Sequence, residues 1–431
     1  MFRSSFRYRF KKSLLLSALL TAFFSSPLLA EQGVATGQKK IKLDNMAPAS
    51  LIQALQTIIA KHPRKRAAEA GLEASRASAR AADNALYNPE LEIDSEDASS
   101  NTAYVQLSQT LDMGDRRGSR TSVAQSQLLK ATADYDLALQ ELTHDLLISI
   151  AEKRTQDKLA SLAGRGLQLM QEFADVAELR YRAGDLNQVE LDLARLAYTE
   201  ALMTHAQALS DAAAAKEALR AIFIRLPDKL PALPDELPGA QLPGDSDEFI
   251  RTLPGMRALE ATVSAKRHTV ELRKSERSWD PTIALRGGRE DEDRLIGATL
   301  TIPLNIRNTF RAEVEEAQQE LISSEQLAQQ MFRDQRARVL ATTERYRLLQ
   351  QAWINWKKTG RVSVNRQLNL IKKLWRAGDM STTDYLVQLK QALDTQSAGY
   401  ELRGRVWSAG FDWLLVTASI NDWLQLTAEE N

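Results

Sequence analysis

The sequence predicts a mainly α-helical chain with a small β part, built from duplicated long helical hairpins plus four short strands. Three observations predict it: an internal duplication, two long proline-free tracts, and segments of alternating polarity ahead of each tract. Asn88-Pro89-Glu90-Leu91-Glu92-Ile93 is matched by Asp280-Pro281-Thr282-Ile283-Ala284-Leu285. Tyr181-Arg182-Ala183-Gly184-Asp185 is matched by Trp375-Arg376-Ala377-Gly378-Asp379. The offset, about 192 to 194 positions, far exceeds the ~20–50 residues of a solenoid unit, so half the protein is duplicated.

Composition agrees. Ala, Leu, Gln, Glu and Arg dominate the 431 residues and aromatics make up 6%, the profile of long helices. Cysteine is absent, which excludes disulfides, thiol chemistry, thiolate metal sites and a lipidated N-terminal Cys.

Residues 1–30 read as a signal peptide. Arg3, Arg7, Arg9, Lys11 and Lys12 precede the apolar run Leu14 to Phe24, and Ala30 offers a small residue for cleavage. The run is shorter than the roughly 20 residues of a spanning helix, which disfavours an uncleaved anchor. Removing it takes the formal charge from +0 to about −5, and nothing suggests nucleic acid as a partner. No later apolar run reaches membrane-spanning length, so any membrane contact must come through β-strands.

Residues 31–88 are expected to form an N-terminal helical segment, and residues 89–226 the first repeat. In that repeat Leu91 and Ile93 alternate with Glu92 and Asp94, and Val105 and Leu107 with Gln106 and Ser108, which predicts a β-hairpin over 89–112. A long helix follows over about 115–182, with Leu128, Tyr135 and Leu142 at heptad spacing. Its ~68 residues would give a rod of about 100 Å. A tip follows at 182–187, then a returning helix over 188–225. Five prolines between Pro227 and Pro243 predict an extended linker over 227–246, followed by a helix over 247–279.

The second repeat, 280–431, is expected to run as hairpin 281–305, long helix about 309–376, tip 376–381, and a returning and C-terminal helical segment over 382–431. At each tip a glycine (Gly184, Gly378) stands where a left-handed residue ends a helix. Asn187 to Glu190 and Ser381 to Asp384 then fit an N-cap with an acid three residues on. Gly166 and Gly360 correspond in mid-rod, where a kink or a close helix contact is expected.

Four strands cannot stand open in lipid, and the smallest closed membrane barrels have about eight, so a membrane form must oligomerise. The soluble alternative is a four-stranded cap on a helical bundle.

The order of strand hairpin, long helix, Arg-Ala-Gly tip and returning helix, all duplicated, resembles the TolC-like family of outer-membrane efflux proteins. Asn88 to Ile93 followed by Leu107-Ser108-Gln109-Thr110-Leu111-Asp112-Met113-Gly114 looks most like the branch serving heavy-metal cation pumps. The resemblance implies a homotrimer in the outer membrane of a Gram-negative bacterium. Its 12-stranded β-barrel would be continued by a periplasmic tunnel of helical staves. It further implies passive export, a periplasmic adaptor (membrane fusion) protein, an inner-membrane pump, outer-membrane lipid around the barrel, and no catalysis or cofactor.

Aligned on the tip glycine, Asp384 falls on an acidic gate position of the family, Glu190 on its counterpart, and Trp375 on an aromatic gate position with Tyr181 as its repeat partner. Val387 and Met380 depart from the family pattern, which implies a gate wired differently. Helix capping is the competing role for Glu190 and Asp384. A ring of three Asp384 carboxylates would repel itself or recruit a cation. Arg182, Gly184, Asp185, Arg376, Gly378 and Asp379 would form the adaptor-docking rim, with helix termination as the alternative. Glu96, Asp97, Glu290, Asp291, Glu292 and Asp293 would line an acidic outer mouth, or stand as solvated loops. The histidines His62, His144, His205 and His268 lack ligand spacing, so no metal site is expected.

The function expected is therefore the exit duct of a tripartite efflux pump for small solutes, leaning to heavy-metal cations. An exported coiled-coil scaffold without a pore, or the outer-membrane duct of a protein-secretion system, are the alternatives.

Overall fold

The structure, a computed structural model, describes residues 41–97, 101–223, 226–227 and 229–426. The expected signal peptide lies outside the described residues.

Two short helices come first, α1 (Ala49–Ala60) and α2 (Pro63–Ala82). Leu51, Leu55 and Ile59 recur every four residues and are all buried, so α1 lies down by one stripe. Pro63 starts α2 where its missing N–H costs nothing. His62 caps that helix, accepting from the Arg64 amide at 3.1 Å, and its Nε2 lies 3.1 Å from the Ile222 carbonyl. It is a structural histidine.

Strands β1 (Glu90–Asp97) and β2 (Asn101–Thr110) lead into α3 (Arg116–Arg182), one helix of 67 residues. Its start is over-determined. Asp115 sits at φ 52 and accepts from the Gly118 amide at 3.2 Å, while Asp112 accepts from the Arg116 and Arg117 amides at 2.8 Å each. A Cβ at position 118 would collide with the Asp115 carboxylate, which explains the glycine.

The returning helix α4 (Gln188–Ile222) leads to a proline-rich strap, then α5 (Ser246–Arg251) and α6 (Pro254–Ser275). The strap is not a free spacer. Leu233 and Leu237 are buried, Tyr346 donates to the Pro238 carbonyl at 2.7 Å, and the Trp407 indole donates to that of Pro234 at 3.0 Å. Pro254 begins a new helix, so the single helix expected over 247–279 is two.

Strands β3 (Thr282–Glu290) and β4 (Asp293–Thr301) complete one antiparallel sheet in the order β1-β2-β3-β4. The β2–β3 pairing, from Thr110↔Thr282 to Thr102↔Glu290, joins the two repeats.

The second rod differs from the first. Expected as one helix over about 309–376, it divides into α7 (Arg311–Asn355), a π-turn (Trp356–Gly360) and α8 (Arg361–Ala377). The cause is the Trp356 indole, which lies so close to Gly360 and to Gly399 across the interface that a Cβ at either would strike it. One extra residue per turn accommodates the ring. At the equivalent Gly166 a Cβ would meet Leu393 at 3.4 Å, ordinary contact, and α3 runs through unbroken.

Helices α9 (Thr382–Val416) and α10 (Ile420–Trp423) close the chain. The main core gathers Leu51, Leu146, Ile150, Tyr346, Trp413 and Trp423 from α1, α3, α7, α9 and α10. A second lies at the hairpin tips and a third under α5.

Candidate channel wall and hairpin tips

The two tips are built alike. At the first, Gly184 lies at φ 83, its amide donates to the Tyr181 carbonyl at 3.0 Å, and the Asp185 amide to that of Arg180 at 2.9 Å. At the second, Gly378 lies at φ 85, its amide donates to Trp375 at 3.1 Å and that of Asp379 to Leu374 at 3.0 Å. Both are Schellman endings, which need a positive φ and so favour glycine.

The acids beyond the tips are engaged as caps within the protomer. Asn187 and Glu190 form a reciprocal capping box at 3.0 and 3.1 Å. The Ser381 hydroxyl accepts from the Asp384 amide at 3.1 Å and donates to the Asp384 carboxylate at 2.7 Å. Asp384 is exposed and Glu190 half-buried, so the second carboxylate has more freedom to face a partner.

The aromatic pair splits. Tyr181 is 39% exposed, whereas Trp375 is 3% exposed and buried in the tip core. Trp375 stacks on Tyr385 at 4.5 Å and 11°, and leans on Phe173 at 5.2 Å. As an aromatic gate candidate it therefore does not stand free in the protomer. Its ring holds the second hairpin's two helices against the first. Burial pushes the Tyr385 phenol above its ordinary range.

Charged side chains finish the tips. Glu172 accepts from Lys372 at 2.8 Å and lies 3.4 Å from Arg376, linking α3 to α8. Hydrogen bonding to Lys372, with the charges of Lys372 and Arg376, holds its carboxyl below the usual value. Arg182 pairs with Glu178 at 2.6 Å. Arg182, Asp185, Arg376 and Asp379 are all exposed around the glycines, so the structure brings these rim residues to one end.

The sheet lies at the other end of the rods. Its register puts Leu91, Ile93, Val105, Leu107, Ile283, Leu285, Ile296 and Leu300 on one face, and all eight are exposed or half-exposed in the single chain. The opposite face carries Glu90, Glu92 and Asp94 of β1, Tyr104 and Gln106 of β2, and Arg286 of β3. Gln106 donates to Glu92 at 2.8 Å and Tyr104 to Asp94 at 3.1 Å. Neither β1 nor β4 has a second strand partner among the described residues.

Of the acidic mouth, Glu96, Glu290 and Asp293 share one row across the strand ends. Asp97, Asp291 and Glu292 flank it. Asp291, at φ 50, also has a structural task, accepting from the Asn101 amide at 2.8 Å.

Sequence reasoning missed the joint between sheet and rods. Asp280, nearly buried, accepts from Tyr87 at 2.7 Å and lies 3.2 Å from Arg116, which in turn donates to the Ser278 carbonyl at 2.8 Å. The repeat start at Asn88 and Asp280 marked the place, but nothing local pointed to Arg116. Among the described residues no helix is long and apolar enough to cross a membrane, and no group of three His, Asp or Glu could hold a metal.

Residues 54–223 match the family model described as outer membrane efflux protein. No curated protein sequence matches the chain. Among solved structures the chain is similar to the open state of the Neisseria gonorrhoeae MtrE outer membrane channel, with a TM-score of 0.73 at 17% identity, covering 89% of this chain and 94% of that one. It is similar to CusC, described as forming a transmembrane channel, with a TM-score of 0.73 at 14% identity, covering 86% and 93%. The Campylobacter jejuni CmeC outer membrane channel gives 0.72 at 11% identity, covering 88% and 90%. Identities this low speak for the fold, and the family model speaks for residues 54–223. With strand hairpins, unbroken first rod and paired tips all in the order its sequence predicts, the chain has the fold of these outer membrane channels, and the match over residues 54–223 supports the TolC-like outer membrane efflux family that its sequence resembles.

Proposed function

We propose that three copies of this chain form a passive exit duct across the outer membrane, the outermost part of a tripartite efflux pump. The observation that carries this reading is the sheet. It has one apolar face, one polar face and, among the described residues, two unpaired edges, and closure with other copies would leave no backbone group unpaired in lipid. Three copies give twelve strands, within the range of closed membrane barrels. The apolar face then meets lipid, and the polar face, with Glu90, Glu92 and Asp94, lines the lumen.

The paired tips supply two like ends per chain and six per trimer, a platform for a periplasmic adaptor that couples to an inner-membrane pump. Arg182, Asp185, Arg376 and Asp379 are the contact residues. The chain performs no catalysis, and energy comes from the pump. Cargo is read as metal cations, supported by the sequence resemblance and by the acidic β1 column facing the lumen. Asp384 is the acid most available to form a ring at the periplasmic end, and Glu190 supports it.

Because the chain has no cysteine, the test is direct. One cysteine on β1 and one on β4 should cross-link chains into a trimer recovered with the outer membrane. Recovery as an uncross-linked soluble species would favour the coiled-coil scaffold. A deletion strain should lose metal-salt tolerance and keep drug tolerance; unchanged metal tolerance removes the metal reading and leaves the duct. Asp384→Ala should raise conductance or weaken cation preference in bilayer recordings.

A further inference from the structure

The second rod changes winding beside a cavity of about 810 Å³, a volume typical of small-molecule sites. Separate parts of the chain wall it, among them α3 with Arg154 and Lys158, the strap with Lys229, the second rod with Trp353, Trp356 and Val364, and α9 with Tyr400 and Arg403. None of these elements would make the site alone.

Its charge is unbalanced. The two acids at its edge are already occupied, Asp157 by Lys153 and Asp235 by Arg403. Among the described residues Arg154, Lys158 and Lys229 have no carboxylate partner. Arg403 is clasped between Trp353 and Trp407, its guanidinium 5.1 and 4.5 Å from their ring centroids. Arg154 spends one nitrogen on the strap, donating to the Leu230 and Pro231 carbonyls at 3.2 and 2.8 Å, while its Nε is buried without a partner. A buried donor left unpaired is costly unless something accepts from it. Burial first, and then the neighbouring Arg403 charge, press Arg154 below its ordinary range, so the guanidinium sits where an anion would relieve it.

The remaining wall is mainly aromatic and aliphatic, with Thr155 and Gln396 as further polar side chains. Trp356, half-buried in its slot between Gly360 and Gly399, presents an indole held rigidly, and Tyr400 and Val364 flank it. We propose that this cavity binds a small aromatic carboxylate, with the carboxylate taken by Arg154, Lys158 and Lys229 and the ring packed on Trp356 and Tyr400. Guanidinium and ammonium donors suit a carboxylate, and rigid aromatic walls suit a planar body. The site lies outside the lumen face of the sheet and apart from the tips. Because Trp356 belongs to the π-turn and Val364 to the helix beyond it, a bound ligand ties α3 and the strap to the point where the second rod bends.

The test uses full-length purified protein titrated with 4-bromobenzoate, whose bromine quenches nearby tryptophan fluorescence and gives an anomalous signal in crystals. The expected result is saturable quenching, a bromine peak within the cavity, and affinity at least about tenfold weaker in Arg154→Gln, the scale of one lost charge-assisted contact. Should Arg154→Gln fail to fold, the exposed pair Lys158→Gln and Lys229→Gln should still weaken binding severalfold. The neutral 4-bromobenzyl alcohol should bind at least tenfold less tightly than the acid. Non-saturable quenching, equal binding of the alcohol, unchanged affinity in the lysine variants, or a bromine peak elsewhere would each overturn the proposal. A peak in crystals without saturable quenching in solution would be binding at crystal concentration only, and would overturn it equally.

Discussion

Arg180 donates from Nη2 to the Trp375 carbonyl at 3.0 Å, and its guanidinium lies 5.4 Å from the Trp375 ring centroid. One side chain of the first hairpin thus holds both the backbone and the ring of the second. Trp375→Ala removes a ring that is 3% exposed and leaves a cavity among Phe173, Tyr385 and Leu389. A loss of about 3–5 kcal/mol is expected, the usual range for a buried aromatic. Thermal unfolding should show it, and single-channel recordings should show a leakier periplasmic end. A stable, tight Trp375→Ala channel would mean the tip is held from elsewhere.

Glu172 and Lys372, 2.8 Å apart, supply the second link between hairpins. The Glu172 carboxyl is depressed in the folded state, so its contribution is present above the ordinary value of 4.5 and lost as pH falls through the folded value. The pair is largely exposed, so its share of global stability is small and screened by salt. The readout belongs at the tip. Conductance should rise on acidification below pH 4.5, and Glu172→Gln should show the higher conductance already at neutral pH. A Glu172→Gln channel with the wild-type acid response would assign that response to other carboxylates.

The two mid-rod glycines should respond to alanine with opposite signs. At Gly166 a Cβ meets only Leu393 at 3.4 Å, so Gly166→Ala should stabilise α3 by up to about 1 kcal/mol through helix propensity. At Gly360 a Cβ would run into the Trp356 indole, so Gly360→Ala should destabilise and disturb the π-turn. Comparing the two melting temperatures checks this. Gains at both positions would show that the indole yields readily.

Much of this architecture was legible because its signals are local. A glycine at the end of a periodic tract, with Asn187 or Ser381 three residues beyond it, specifies a tip without help from the rest of the chain. Strand alternation likewise placed Leu91, Ile93, Val105 and Leu107 on one face. What escaped depends on residues far apart in sequence. The π-turn exists because the Trp356 ring needs space against Gly399, on another helix. Tyr181 and Trp375 hold equivalent positions, yet only the second meets Phe173 and Tyr385. Five prolines announced a linker, but nothing in their spacing told that Leu233 and Leu237 would pack into the main core.

His144 provides the last prediction. It reaches across from α3 to α9, with Nε2 2.9 Å from Asp412 and Nδ1 3.3 Å from Asp145. Arg345 approaches Asp412 at 3.8 Å and Arg64 pairs with Asp145 at 2.7 Å, so four helices meet at one imidazole. Burial pulls its pKa down, but hydrogen bonds and charges from Asp412 and Asp145 outweigh that and leave it above the ordinary 6.5. A raised histidine stabilises fully below its unfolded pKa and loses that contribution as pH rises through the folded value. The melting temperature should therefore decline as pH climbs above 6.5, and His144→Gln should flatten that slope. His144→Gln keeps a donor for Asp412 and removes the titration, so a slope that survives it would place the pH response on another group.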